Sequence, residues 1–322
     1  MLTRTVRTFF PAVIPLPLLE LGMVVAWSSG FVGARYSIDH APAFLVVFWR
    51  CVLVSALLLP WVWREIRAMS RASLLRQSAI GLLAMGGYLV GVIHGIELGV
   101  PAGLAALIAD LLPIGTALLG VLLGHQRLPF KTWCGLAIGL GGVLLVTYDA
   151  LQIGNAPIWA YTLPLLGMLS LAVATVWSKS APDSGSLGML ASLWLQCTVS
   201  AFCFAAISLF DSGLAPVFST GFMNSLLWTA GLSTFGGYGL YWVCLRRSSP
   251  TRVASILYLS PAVTILWAWA MFDEPLSWII AGGVAISGLG ITMVISGERD
   301  QGSQPSRPQP RQGQAPRPDG AN

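Results

Sequence analysis

The segment Ile108-Ala109-Asp110-Leu111-Leu112-Pro113 returns as Ile256-Leu257-Tyr258-Leu259-Ser260-Pro261, at an offset of 148 residues. The same offset carries Gln126 onto Glu274, Leu128 onto Leu276, Gly135 onto Gly283, Gly139 onto Ser287 and Gly142 onto Gly290. Upstream the offset becomes 150: Trp27-Ser28 falls on Trp177-Ser178, and Gly86-Gly87-Tyr88 on Gly236-Gly237-Tyr238. Self-similarity on this scale in an apolar chain marks a membrane protein built from two homologous halves. A working site then lies between the halves.

Composition points to the same solvent. The chain is 55% hydrophobic and only 10% charged, with a mean hydropathy of +0.74. A soluble protein carries about 25% charged residues to cover its surface. The five cysteines, Cys51, Cys134, Cys197, Cys203 and Cys244, all fall in apolar runs without a CxxC or zinc-ligand spacing, so they read as small packing residues. His40, His94 and His125 are scattered, and Gly139-Leu140-Gly141-Gly142 is no phosphate loop, since no strand precedes it and no lysine follows. No nucleophile motif, carboxylate dyad or ATP-binding motif is present. The expectation is therefore a protein that is not an enzyme, with no metal, no cofactor and no direct ATP drive.

A bilayer core about 30 Å thick needs ~20 apolar residues per helix. Ten such runs are drawn at 16–36, 43–63, 76–96, 101–124, 130–149, 157–179, 186–210, 221–245, 251–272 and 276–296. The fold expected is an all-α integral membrane protein of ten transmembrane helices. Residues 1–15 form an N-terminal segment, 16–149 the first repeat, 157–296 the second, and 297–322 a disordered tail rich in Pro, Gln, Gly and Arg. Arg4 and Arg7 before an apolar run mimic a signal peptide, but no small-residue cleavage site follows, so the first helix is read as retained. Pro11, Pro15 and Pro17 make the residues before it extended.

Basic residues set the orientation. With the N-terminus in the cytoplasm, cytoplasmic segments hold Arg4, Arg7, Arg64, Arg67, Arg71, Arg76, Arg127, Lys131, Lys179, Arg246, Arg247, Arg252 and the tail arginines. The opposite loops hold Asp39, Glu97, Asp149, Asp211, Asp273 and Glu274, and only Arg35 and Arg50 are left over. This positive-inside pattern places both termini in the cytoplasm. It also accounts for the formal charge of +5 without a nucleic-acid partner. Five crossings per half reverse the chain, so the repeats are inverted about an axis in the membrane plane. Contacts that close one side then have mates that close the other.

The order of these elements resembles the ten-helix EamA-type branch of the drug/metabolite transporter superfamily. The resemblance covers about residues 16–296 and rests on Ala26-Trp27-Ser28-Ser29-Gly30-Phe31, Phe48-Trp49-Arg50, Ala105-Ala106-Leu107-Ile108 through Pro113, Leu122-Leu123-Gly124 and Gly135. The second copy adds Ser260-Pro261, Asp273-Glu274-Pro275-Leu276, Gly282-Gly283 and Gly288. The resemblance implies export of small metabolites, commonly amino acids or related compounds, through the cell (inner) membrane. Two departures stand out. The family has a glutamate after the fourth helix as well as the ninth, where this chain has Gln126. Asp110 stands where a small or apolar residue is usual.

Arg50 and Asp110 are the ionisable residues deep in spans, about 10 Å and about 13 Å below the outer surface at ~1.5 Å per residue. Insertion there costs ~2.5–3.5 kcal/mol, so each is expected to face the protein interior, on the substrate path or as a structural pair. Pro113 and Pro261 each remove a helical N–H and clash with the carbonyls of Ala109 and Leu257, so kinks are expected to open a cavity beside Asp110 and Tyr258. Trp27, Tyr88, Trp177, Tyr238 and Tyr258 lie well inside their spans and form a candidate wall for an apolar or aromatic solute, against the plainer reading of helix packing. The cavity is expected between helices one to four and six to nine, with helices five and ten packing through small-residue seams. The leading function is a secondary transporter working by alternating access. The alternatives are a facilitative channel-like permease, which wants a continuous polar lining, and a non-transporting membrane scaffold, which has no need of inverted repeats. The partners expected are a small-molecule substrate, the bilayer, protons as a candidate coupling ion, and a second copy of the chain in a homodimer.

Overall fold

The computed structural model describes residues 14–123, 129–153, 156–179, 187–247, 256–257 and 259–302, and those residues are helical apart from short turns. Tyr258 and Gln126 lie outside the described residues. Among the described residues, six helical stretches are long and apolar enough to cross a membrane: Leu16–Ile38, Ala43–Arg67, Arg71–Glu97, Ala102–Leu122, Ile158–Ser178 and Leu190–Asp211. Three shorter apolar helices cover Phe130–Val146, Ser260–Phe272 and Trp278–Val294.

The first half contains α1 (Leu16–Ile38), α2 (Ala43–Arg67), α3 (Arg71–Gly81), α4 (Tyr88–Glu97), α5 (Ala102–Ala109), α6 (Leu112–Leu122) and α7 (Phe130–Ile153). The second contains α8 (Thr162–Lys179), α9 (Met189–Asp211), α10 (Thr220–Leu227), α11 (Gly239–Arg247), α12 (Ser260–Phe272) and α13 (Trp278–Gly302). Pro17 sits in the first turn of α1 rather than before it, where its missing N–H has no intrahelical partner to lose. At the other end α13 runs on to Gly302, beyond the expected end at residue 296, since no proline intervenes.

Packing repeats across the halves. α1 lies along the stretch from Trp228 to Arg247, and α8 lies along Leu82–Gly87 and α4, so the first helix of each half meets the third of the other. α2 packs on α9, α5 on α12, and α7 on α13. The last pair meets almost backbone to backbone. A Cβ added at Gly290 would stand 2.3 Å from the Gly139 nitrogen and 2.6 Å from the Gly135 oxygen. In lipid there is no hydrophobic force between helices, so close approach of small residues is what joins them. Gly290→Ala is therefore expected to lower the unfolding midpoint in detergent, at a cost of about 1–3 kcal/mol from overpacking. Gly288→Ala, where a Cβ meets nothing within 4 Å, is expected to leave it unchanged.

Two irregularities sit at equivalent places. α3 passes into α4 through a π-helical segment, Leu82–Gly87, and α10 passes into α11 through another, Trp228–Tyr238. They contain the repeated Gly-Gly pair and lead to or end on Tyr88 and Tyr238. Such widened turns shift the helix face and are frequent at functional sites. The third irregularity is a break rather than a bend. Asp110 and Leu111 take φ/ψ of −76°/0° and −72°/3°, off the helical values, and Pro113 stands in the first turn of α6. Pro261 holds the same place in α12.

Candidate functional site: a cavity between the halves

One cavity collects side chains from both halves. α1 supplies Trp27, Gly30, Phe31, Ala34 and Ser37, while α2 supplies Ala43, Val46, Val47 and Arg50. Tyr88, Leu89, Val92 and Ile93 come from α4, and Thr229, Ser233, Thr234 and Tyr238 from the second π-helical segment. The backbone around it is held by side chains. Trp228 Nε1 donates to the Ser29 oxygen at 3.0 Å, and Thr234 Oγ1 donates to the Thr229 oxygen five residues back at 2.9 Å. Ser28 Oγ reaches the Ser260 oxygen at 3.1 Å and ties α1 to the start of α12. Two of these bonds join α1 to the second half, and the third lies within the π-helical segment.

The wall is aromatic. The Trp27 ring lies 5.4 Å from Tyr238 and 5.8 Å from Tyr241, centroid to centroid. Tyr88 stands within electrostatic range of both Tyr238 and Asp110. Arg50 is 6% exposed, yet it belongs to neither of the ion pairs seen among the described residues, Arg35–Asp39 and His94–Glu97.

A second cavity lies at the end of the bundle where the turns 39–42, 98–101 and 273–277 meet. Arg35, Asp39, Glu97, Asp273 and Glu274 give it charge. Arg35 bonds Asp39 Oδ1 at 2.7 Å and sits 4.9 Å over the Phe272 ring. Asp273 has φ 53° and ends α12 in the left-handed conformation. That turn brings Glu274 back over the start of α5, where Oε1 accepts from the Ala102 N–H at 3.1 Å. The first N–H groups of a helix lack intrahelical partners and carry positive charge, so a carboxylate is a fitting cap. Burial pushes the Glu274 carboxyl above its ordinary range, while the N–H groups of Ala102 and Gly103 and the charge of Arg35 pull the other way.

Of the residues singled out in the sequence, Trp27, Arg50, Tyr88 and Tyr238 converge on the central cavity. Asp110 is not in the lining; it acts electrostatically on Tyr88, and its Oδ2 is buried without a hydrogen-bond partner among the described residues. Trp177 is 41% exposed near the end of α8 and also lies off the cavity, because α8 turns other residues toward α4. Pro113 and Pro261 start helices rather than kink them. Among the described residues, none from α6, α7, α8, α9, α12 or α13 lines this cavity. Sequence reasoning missed Thr229, Ser233 and Thr234, whose signal was their place just before the repeated Gly-Gly-Tyr. It also missed the Glu274 cap, which joins residues 172 apart in the chain.

A helical bundle of two repeats that meet around a partly polar cavity, with apolar side chains such as Trp61, Phe210 and Trp278 on its outside, is a membrane transporter. The chain belongs to the EamA-like transporter family, whose sequence profile matches residues 16–148 and again 158–296. It is 25% identical over 288 residues to a protein of Escherichia coli (strain K12) named "Probable amino-acid metabolite efflux pump", covering 87% of this chain and 95% of that protein. It is equally 25% identical over 293 residues to the "Uncharacterized inner membrane transporter YedA" of the same organism, covering 88% and 92%. A solved crystal structure shares the fold at a TM-score of 0.61 and 17% identity, over 89% of this chain and 98% of the other.

Proposed function

We propose that the protein is a secondary exporter of amino acids or related small metabolites, working by alternating access in a cell (inner) membrane. Ten spans arranged as two inverted five-helix repeats, with both termini cytoplasmic, complete the reading. The observation that carries it is the central cavity, to which α1, α2 and α4 of one half and the π-helical segment of the other contribute a buried cation, hydroxyls and aromatic rings. The paired packing of each first helix on the opposite third helix supports two interchangeable closures. The name of one relative from Escherichia coli, "Probable amino-acid metabolite efflux pump", supports the substrate class.

Purified protein in proteoliposomes loaded with a mixture of amino acids is expected to release a subset of them faster than empty liposomes do. Imposing a pH gradient shows whether protons couple to that movement. No release of any loaded solute, with the protein inserted and folded, would overturn the reading. Reporter fusions are expected to place residue 302 in the cytoplasm and Asp211 outside. Asp211 in the cytoplasm would remove the inverted repeat.

A further inference from the structure

Arg50 is nine-tenths buried and lines the cavity, and no carboxylate pairs with it among the described residues. Among the groups it acts on are the Cys51 and Cys197 thiols and the Tyr238 hydroxyl, none of them a fixed anion. Asp110, the other deep charge, acts on Tyr88 and forms no ion pair with Arg50 among the described residues. An ion taken out of water costs several kcal/mol unless a partner offsets it. The guanidinium therefore stands in a cavity with its demand for an anion unmet. Beside it the rings of Trp27 and Tyr238 present an apolar surface with centroids 5.4 Å apart.

We infer that Arg50 is the carboxylate-binding residue of this cavity, so that the transported solutes are carboxylates with an apolar or aromatic body lying against Trp27 and Tyr238. The inference rests on the exporter reading and narrows it. Guanidinium and carboxylate match as a planar two-pronged pair. Arg50 enters from α2 and the aromatic wall from α1 and the second half, so a bound solute touches both halves. Its anion is then neutralised where water is scarce.

Three matched probes test this by binding to purified protein, read from tryptophan fluorescence and thermal shift. 3-Phenylpropionate carries the carboxylate alone, phenylalanine carries carboxylate and ammonium, and phenylalaninamide carries the ammonium alone. The two carboxylates are expected to bind at least about tenfold more tightly than the amide, the ratio that a charge-assisted hydrogen bond gives. Arg50→Gln is expected to erase that preference, and Arg50→Lys to keep part of it. If Arg50→Gln does not fold, the wild-type series together with Arg50→Lys still decides the matter. Equal binding of amide and carboxylates overturns the inference, as does binding of none of the three or an unchanged preference in Arg50→Gln. Failure here alongside measurable amino-acid release from proteoliposomes leaves the exporter standing and removes only the carboxylate rule. Absent release removes the exporter itself.

Discussion

Asp110→Asn is expected to cut initial transport rates by on the order of tenfold or more, the loss that follows removal of one charge-assisted contact. Asp273→Asn is expected to leave them near normal. Asp110 occupies the break between α5 and α6, in a segment otherwise buried and apolar. Its Oδ2 has no hydrogen-bond partner among the described residues, and its charge bears on Tyr88, which lines the cavity. A carboxylate kept at that depth without a satisfied oxygen is costly, and its position at a helix break next to the cavity wall lets it act when the two helix segments move. It can take a proton, or it can meet an ammonium group once Tyr88 shifts. Asparagine keeps the shape and removes both options. Asp273 differs in each respect: it is exposed, its role is a left-handed helix end at φ 53°, and asparagine adopts that conformation readily. Rates are measured in proteoliposomes at equal protein content. Near-normal transport by both variants would reduce Asp110 to a structural residue.

The two-half organisation was legible because it needs only spacing. Trp27, Tyr88 and Tyr238 were found by their recurrence at fixed offsets, and Arg50 by its charge within an apolar run. What spacing conceals is rotation about the helix axis. Trp177 repeats Trp27 in sequence, yet the two halves do not present the same faces to the cavity, so one tryptophan lines it and the other is exposed. The π-helical segments have a similar lesson. A widened turn alters which residues share a face, and it brought Thr229, Ser233 and Thr234 to the cavity against a regular 3.6-residue reading. The prolines misled for a local reason. A proline reads as a kink when the helix is assumed continuous. Once Asp110 and Leu111 leave helical geometry, the same residue becomes a favourable start.

Glu274 is expected to make the charged end of the bundle sensitive to pH in a direction opposite to that of an ordinary salt-bridged carboxylate. Its Oε1 caps the Ala102 N–H across the two halves, so Glu274→Ala is expected to cost about 0.5–2 kcal/mol through the lost cap. Glu274→Gln retains an acceptor and loses less. Burial is the largest influence on the acid and raises it above its ordinary value of 4.5. The native state therefore holds the proton more tightly than the unfolded chain does. The contribution of this group to stability is greatest at pH below 4.5, and it falls as pH rises from there through the raised native value. The same sign governs opening: an arrangement that exposes the carboxyl to water restores the ordinary value, so higher pH favours it. The other groups facing this site are Arg35 and Asp39 from α1, Glu97 with its His94 partner from α4, and Asp273 beside it. All of them remain in Glu274→Gln, so subtracting the variant isolates one titration. The wild-type unfolding midpoint is expected to decline relative to that of Glu274→Gln as pH is raised from 4.5. A difference that stays flat across that range, or rises, would show that Glu274 does not carry the pH response.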